Sequence, residues 1–453
     1  SAGLILGGQW AYEELGWGGF WAWDPVENAA FMPWLTGTAF LHSVMIQEKR
    51  NMLKIWNVVL IILTFGLTIV GTFLTRSGII NSVHAFTQSE IGPAFLIFLA
   101  FILVIGFGLL FKRIQMLESE HKIESVLCRE NAFLAQNVLL VGIAFTVLLG
   151  TTFPLLAEAV RGTKLSIQAP FFNTIIAPMG YLLLLLMGIG TLIAWRKSSW
   201  EGLLRNFKNP LILATAGTVF LAWFLADRDL LWSVHTIFWL TIFVTSTIVL
   251  EIVKAVQAKS SQTKSNFIMA LFYVIARNPR RYGGLLIHFG VVLMFLGFAG
   301  TFFKVERNMT LESGVPQEIG EYSLEFKQME EFKVGNATHR AAIVNVFDKE
   351  GNFLEVLKPA KSFYPTQPQP LTEVAIRRSF LEDLYLIFSS ENGGEQDSIT
   401  LRVFINPLVG WAWMALPVFT LGVGLSMSYR PKSLVAHETI LRERYLAAQA
   451  LNS

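Results

Sequence analysis

Nine mainly apolar runs stand out along the chain, at about residues 28–47, 53–74, 91–111, 134–153, 174–195, 209–226, 231–253, 284–303 and 407–429. Each approaches the roughly 20 residues that an α-helix needs to cross a bilayer. Between the last two runs the period changes. Residues 304–405 carry short alternating stretches such as Ala342-Ile343-Val344-Asn345-Val346-Phe347, Tyr385-Leu386-Ile387-Phe388 and Ile399-Thr400-Leu401-Arg402-Val403-Phe404. Turn signals separate them, Lys349-Glu350-Gly351-Asn352 and Glu391-Asn392-Gly393-Gly394 among them. A period of two bounded by turns predicts strands. The expected fold is therefore a mainly α polytopic membrane protein of about nine transmembrane helices, with a β-rich domain inserted before the last helix. Tethered by a helix at each end, that domain must lie over the bundle as a lid or docking surface.

Polar positions orient the spans. Residues 48–54, 112–133, 196–208, 254–283 and 430–453 hold 21 Lys and Arg, whereas the alternate connections hold Arg76, Arg161, Lys164 and Arg228. By the positive-inside rule the first set is cytoplasmic. Residues 1–27, the loops 75–90 and 154–173, and the β-rich domain then face outward, and 430–453 is a cytoplasmic tail. Gly3 to Trp10 read as the tail of a membrane helix that begins before Ser1.

Of the 453 residues, 53% are apolar and 15% charged, which fits a membrane protein and not a soluble domain. The net charge of +3 carries no nucleic-acid signature. The single cysteine, Cys128, excludes a disulfide framework, a Cys-x-x-Cys pair and a c-type haem attachment motif on this chain. Any thiol chemistry belongs to another molecule.

Candidate chemistry lies in two places. Trp17-Gly18-Gly19-Phe20-Trp21-Ala22-Trp23-Asp24-Pro25-Val26-Glu27-Asn28 gathers rings and glycines at a helix mouth. Asp24, Pro25 and Glu27 read as N-cap, first helical residue and capping-box partner. Trp17, Phe20, Trp21 and Trp23 offer apolar faces to a large planar ligand, with an interfacial aromatic belt as the plain alternative. His42 and His288 lie within apolar runs, each about five residues from the cytoplasmic end of its span, so both fall in one layer. A histidine at that depth is a functional candidate, with a helix-to-helix hydrogen bond as its alternative. Two imidazoles in one layer suit a bis-histidine b-type haem, with Gly37, Gly283, Gly284 and Gly290 expected to ease its approach. On the outer side His84 is a candidate iron ligand, and Arg76 a partner for a haem propionate or a helix-end anchor. His235 reads as interfacial, His121 and His437 as solvated, and His339 carries no assignable role.

These residues resemble the CcmF family of haem lyase subunits. The tryptophan-rich stretch looks like that family's WWD signature, followed by Leu41-His42-Ser43 and by Arg76-Ser77-Gly78 through Val83-His84-Ala85-Phe86. Looser likeness continues through Pro170-Phe171-Phe172-Asn173, the span with His288, Glu382-Asp383-Leu384-Tyr385 and Asn406-Pro407-Leu408-Val409. Phe20 stands where the family usually has tryptophan. The resemblance implies substrate haem on the WWD surface, with Trp17, Phe20, Trp21, Trp23, Asp24 and His84 around it. It also implies a permanent b haem on His42 and His288, and it places the first of the family's two loop histidines before Ser1. The implied activity is cytochrome c haem lyase, working in complex with partner subunits in the bacterial inner membrane. Implied partners are a haem chaperone, a thiol-reducing apocytochrome-binding subunit, apocytochrome c and a quinol. A haem transporter without ligation activity and a b-haem quinol electron-transfer subunit are the competing readings.

Overall fold

The computed structural model describes residues 1–77, 91–119, 125–163, 165, 167–225, 232–367, 369–392 and 398–429. His84, His121 and His437 lie outside them. Its helices are α1 (Ala2–Glu14), α2 (Pro25–Arg50), α3 (Lys54–Arg76), α4 (Gly92–Lys112), α5 (Arg129–Arg161), α6 (Ala169–Leu192), α7 (Trp200–Phe224), α8 (Trp232–Thr263), α9 (Phe267–Arg277), α10 (Pro279–Ala299) and α11 (Val409–Met427). Among the described residues nine of these, all but α1 and α9, are long and apolar enough to cross a membrane. On α4 only Gly92 and Leu110 are buried, while Ile97, Val104 and Phe111 lie open. A helix apolar all round and uncovered by protein is stable against lipid and not against water. The chain is a multi-pass membrane protein.

Three differences from the sequence expectation have physical causes. The connection expected over 154–173 is mostly helical: α5 continues to Arg161 and stops at Gly162, whose φ of 69° supplies a left-handed C-terminal turn. The basic stretch 254–283 contains α9, which buries Ala270 and Val274 and exposes Phe267, Ile268, Met269 and Phe272. Its apolar run is too short to span, so it escapes a search for spans.

The glycines near His288 serve mainly helix packing. A Cβ on Gly283 would stand 2.5 Å from Gly422 O and 2.7 Å from Ser426 N of α11, and one on Gly290 would stand 3.2 Å from the Phe419 ring. Small residues at such crossings let two backbones approach where lipid offers no hydrophobic drive. Gly284 has nothing within 4 Å of that position, and Gly37 has Thr64 Cγ2 at 3.7 Å.

The β-rich domain holds β1 (Val305–Glu312), β2 (Pro316–Ile319), β3 (Tyr322–Val334), β4 (Ala337–Asp348), β5 (Phe353–Leu357), β6 (Ala360–Phe363), β7 (Leu371–Glu373), β8 (Ala375–Arg377), β9 (Glu382–Asn392) and β10 (Ser398–Pro407). Among the described residues these strands pair antiparallel, in the orders β1-β10-β9-β8 and β2-β3-β4-β6-β7, with β5 also on β4. Alternate residues Leu324, Phe326, Val344, Val346, Leu384, Leu386, Leu401 and Val403 turn into one core. That is the geometry of a pleated strand with one buried face. His339, unassigned from sequence, is structural: it stacks on Phe332 with centroids 5.2 Å apart, and its Nδ1 shares a 2.7 Å hydrogen bond with Ser362 Oγ.

Candidate functional site

Helix α2 organises both candidate sites. At its start Asp24 Oδ1 accepts from Val26 N at 2.9 Å, while Glu27 Oε2 accepts from Asp24 N at 3.1 Å and from Ala22 N at 3.0 Å. These contacts satisfy donors that an open helix end would leave bare, and they fix the angle at which the tryptophan stretch enters. Trp23, just before the cap, has a φ of 58°. Asn28 Nδ2 holds that strained residue, donating to Trp23 O and to Thr151 Oγ1 on α5, each at 3.0 Å.

The four rings do not share one environment, though all are half-buried. Trp23 stacks on Phe172 at the start of α6, centroids 4.9 Å apart and planes 12° apart, and its Nε1 donates to Asn173 Oδ1 at 2.8 Å. Trp21 meets Trp23 and Phe31 edge-on, at 5.8 and 5.6 Å. Phe20 turns the other way, stacking on Phe298 of α10 at 5.8 Å and meeting Trp413 of α11 edge-on at 5.7 Å. Gly18, at φ 68°, lies under the Phe404 ring of β10, where an added Cβ would stand 2.6 Å from ring carbons. The close planar neighbour that this glycine admits is therefore the chain's own phenylalanine. Gly19 has nothing within 4 Å of its Cβ position. Arg76 is exposed at the end of α3. It lies at the same end of the bundle as the tryptophans, because Gly71 of α3 packs against Ala29 of α2.

Around this mouth lies a network that spacing along the sequence did not reveal. Tyr12 of α1 donates to Asp383 Oδ2 at 3.3 Å and accepts from Asn406 Nδ2 at 2.9 Å, all three being buried. Burial pushes the Asp383 carboxyl up to about 6. Lys304 Nζ donates to Gly18 O at 2.7 Å and lies 4.3 Å from the Phe404 ring centroid; burial lowers its pKa. Helix α1, the tryptophan stretch and the β-rich domain are thus joined through polar groups far apart in sequence.

His42 lies 17 residues along α2 from Pro25, about 25 Å from the mouth at the helical rise. It faces His288 of α10, with ring centroids 6.2 Å apart and planes 8° apart. Two imidazole–metal bonds of about 2 Å each, collinear through one ion, put facing ring centroids roughly 6.3 Å apart. His42 Nδ1 contacts Thr38 O at 2.9 Å, so Nε2 is the nitrogen that could take a metal; Gln136 Nε2 stands 3.5 Å from it. His288 Nδ1 is buried without a hydrogen-bond partner in the structure. Two imidazoles, one with an orphaned nitrogen, held parallel in an apolar layer fit a haem iron. Among the described residues no group of three or more His, Cys, Asp or Glu gathers for a metal ion.

Comparison with known proteins follows the same two regions. Residues 1–80 match the family described as "Cytochrome C assembly protein", and residues 302–407 match "CcmF C-terminal beta-sandwich". The chain is 36% identical over 415 residues to the cytochrome c-type biogenesis protein CcmF of Pseudomonas fluorescens, across 91% of this chain and 60% of that protein. The chain is similar to CcmF proteins over more than nine tenths of its own length. Its similarity to CcmF of Escherichia coli K12 is 34% over 442 residues, covering 95% of this chain and 64% of that protein. A solved structure titled "Cytochrome c Heme Lyase CcmF" superposes with a TM-score of 0.75 at 33% identity, over 94% of this chain and 64% of that one. The chain thus spans less than two thirds of these CcmF relatives. The CcmF-like segments dispersed along the sequence converge in space: Phe172 and Asn173 on Trp23, Asp383 and Asn406 on Tyr12, and His288 on His42.

Proposed function

We propose that this chain is the part of a cytochrome c haem lyase that holds substrate haem at the tryptophan-rich mouth, under the β-rich domain, and carries a resident b haem between His42 and His288. The observation that carries this reading is the parallel histidine pair, one member of which, His42, lies on the helix that starts at the capped tryptophan stretch. The mouth and the β-rich domain face the periplasm of a bacterial inner membrane. A haem chaperone supplies the substrate, and a thiol-reducing subunit presents apocytochrome c with its Cys-x-x-Cys-His motif reduced.

Each thioether forms as a cysteine S–H adds across a haem vinyl group: sulfur bonds one vinyl carbon, the other takes the proton, and no electrons are gained or lost overall. The chain's contribution is positional. Holding haem and peptide in one geometry removes the entropy cost of a three-body encounter, which is worth several kcal/mol of barrier. The half-buried rings of Trp21 and Trp23 support the porphyrin, Asn173 and Phe172 fix the Trp23 ring, and His84 holds the substrate iron. Arg76, at the same end, pairs with a propionate. The resident haem, when bound, supplies single-electron reduction, with a quinol as the donor. His42 and His288 hold it there, and the apolar layer around them excludes water.

The test is maturation of a reporter cytochrome c by the lyase assembled with its partner subunits. His84→Ala is expected to abolish covalent haem attachment while the b-haem spectrum remains. Normal maturation in that variant would remove His84 from the site.

A further inference from the structure

On the side of the histidine pair away from the β-rich domain, three helices repeat one spacing. Lys49 follows His42 by seven residues on α2, Arg129 precedes Gln136 by seven on α5, and Arg281 precedes His288 by seven on α10. Seven residues make nearly two full turns, so each cation lies on the same face as its partner, about 10 Å further along the axis. A ladder of rings links the two layers. Phe133 meets His42 edge-on at 5.6 Å and Trp195 edge-on at 5.9 Å; Lys49 Nζ lies 4.4 Å from the Trp195 centroid, and the Arg129 guanidinium 5.4 Å.

Among the described residues the cations of this layer outnumber the carboxylates paired with them. Arg50 pairs with Glu130 at 3.3 Å, Arg280 with Glu48 at 2.9 Å, and Arg281 with Glu251. Lys49 and Arg129 rest on Trp195 instead. Arg129 spends one nitrogen on Thr191 O at 2.9 Å, and its Nε is buried without a hydrogen bond in the structure. Lys49 is exposed and Arg129 half-buried, both at the edge of an apolar layer on the faces that carry the haem-facing residues, where each is placed to meet an anion.

We propose that Lys49 and Arg129 bind the two propionates of the haem assigned to His42 and His288, so that its carboxylate edge points away from the β-rich domain. This rests on the b-haem reading above and extends it to the orientation of the macrocycle. Both cations have long flexible stems, so each can leave the Trp195 face for a carboxylate without backbone movement. Arg281, held by Glu251, walls the same space from α10.

The experiment reconstitutes the detergent-purified chain, produced under haem limitation, with haem or with haem dimethyl ester, in which both carboxylates are masked. Wild type is expected to bind haem about tenfold or more tightly than the ester, the ratio that about 1.4 kcal/mol gives. The bis-histidine spectrum should be the same with either ligand. The double variant Lys49→Gln/Arg129→Gln is expected to bind both ligands alike within about twofold, with that spectrum kept, and each single variant to fall between. Lys49→Arg should keep the preference, so that loss of charge is separated from loss of packing on Trp195.

Equal affinity of wild type for the two ligands, or an undiminished preference in the double variant, would overturn the proposal. Should the double variant fail to fold, the two single variants decide: a preference as large as that of wild type in both overturns it. Failure of wild type to bind haem through His42 and His288 would instead overturn the b-haem reading itself.

Discussion

Asp24 shows how a residue singled out beside a candidate site is divided between structure and chemistry. Its carboxylate caps α2 by accepting from Val26 N. Asp24→Ala should therefore lower stability by about 1 kcal/mol, read as a lower thermal midpoint of the purified chain. Asp24→Asn keeps the cap and should keep both stability and maturation. Loss of maturation in Asp24→Asn at normal stability would show that the charge itself acts on substrate. Asp383 makes the complementary case. With its carboxyl raised by burial to about 6, the folded state holds a proton that the unfolded chain, titrating near 4, has released. Stability from this group is full at low pH and declines as pH rises from about 4 to about 6, then stays level. The thermal midpoint of Asp383→Asn relative to wild type should accordingly be more favourable at about pH 7 than at about pH 4.5, and the opposite trend would contradict the assignment. His42, His288 and the capping residues were legible in the sequence because depth and cap spacing are local patterns. Tyr12, Asp383 and Asn406 were not, because a hydrogen bond across more than 370 residues leaves no local pattern.

At the scale of elements, the sequence shows the spans and strands well because their periods are strong. It misses α9 because an apolar helix of eleven residues falls between the lengths expected of a loop and of a span. The use of the glycines on α10 also escaped it, since a helical glycine looks the same whether it admits a ligand or another helix. The structure separates these uses: Gly283 faces the α11 backbone, and Gly284 faces open space. Gly283→Ala should push α10 from α11 at a cost of about 1–3 kcal/mol and displace His288, five residues on. The expected outcome is a lower thermal midpoint together with weaker retention of b haem. Gly284→Ala should change the midpoint little.

For the whole molecule, the central relation is that one helix joins two places about 25 Å apart. α2 starts at the tryptophan mouth and carries His42, while α10 carries His288 and leads into the β-rich domain. That domain is locked to the mouth by Lys304 on Gly18 and by Asp383 and Asn406 on Tyr12. Fold class and the meeting of His42 with His288 were legible from the pattern of runs and the depth of the two histidines. The lock was not, since it depends on how the domain docks. Lys304→Met, which keeps apolar bulk and removes the donor, should loosen the tryptophan stretch. Faster proteolysis within residues 15–23 and unchanged b haem are the expected readouts.

The most direct test of the account is the reduced-minus-oxidised absorption spectrum of the purified chain beside His42→Ala and His288→Ala. Wild type should show a low-spin bis-histidine b-type haem, and each variant should lose it or convert it to high spin. An unchanged low-spin spectrum in both variants would contradict the pairing of His42 with His288 on which the account rests.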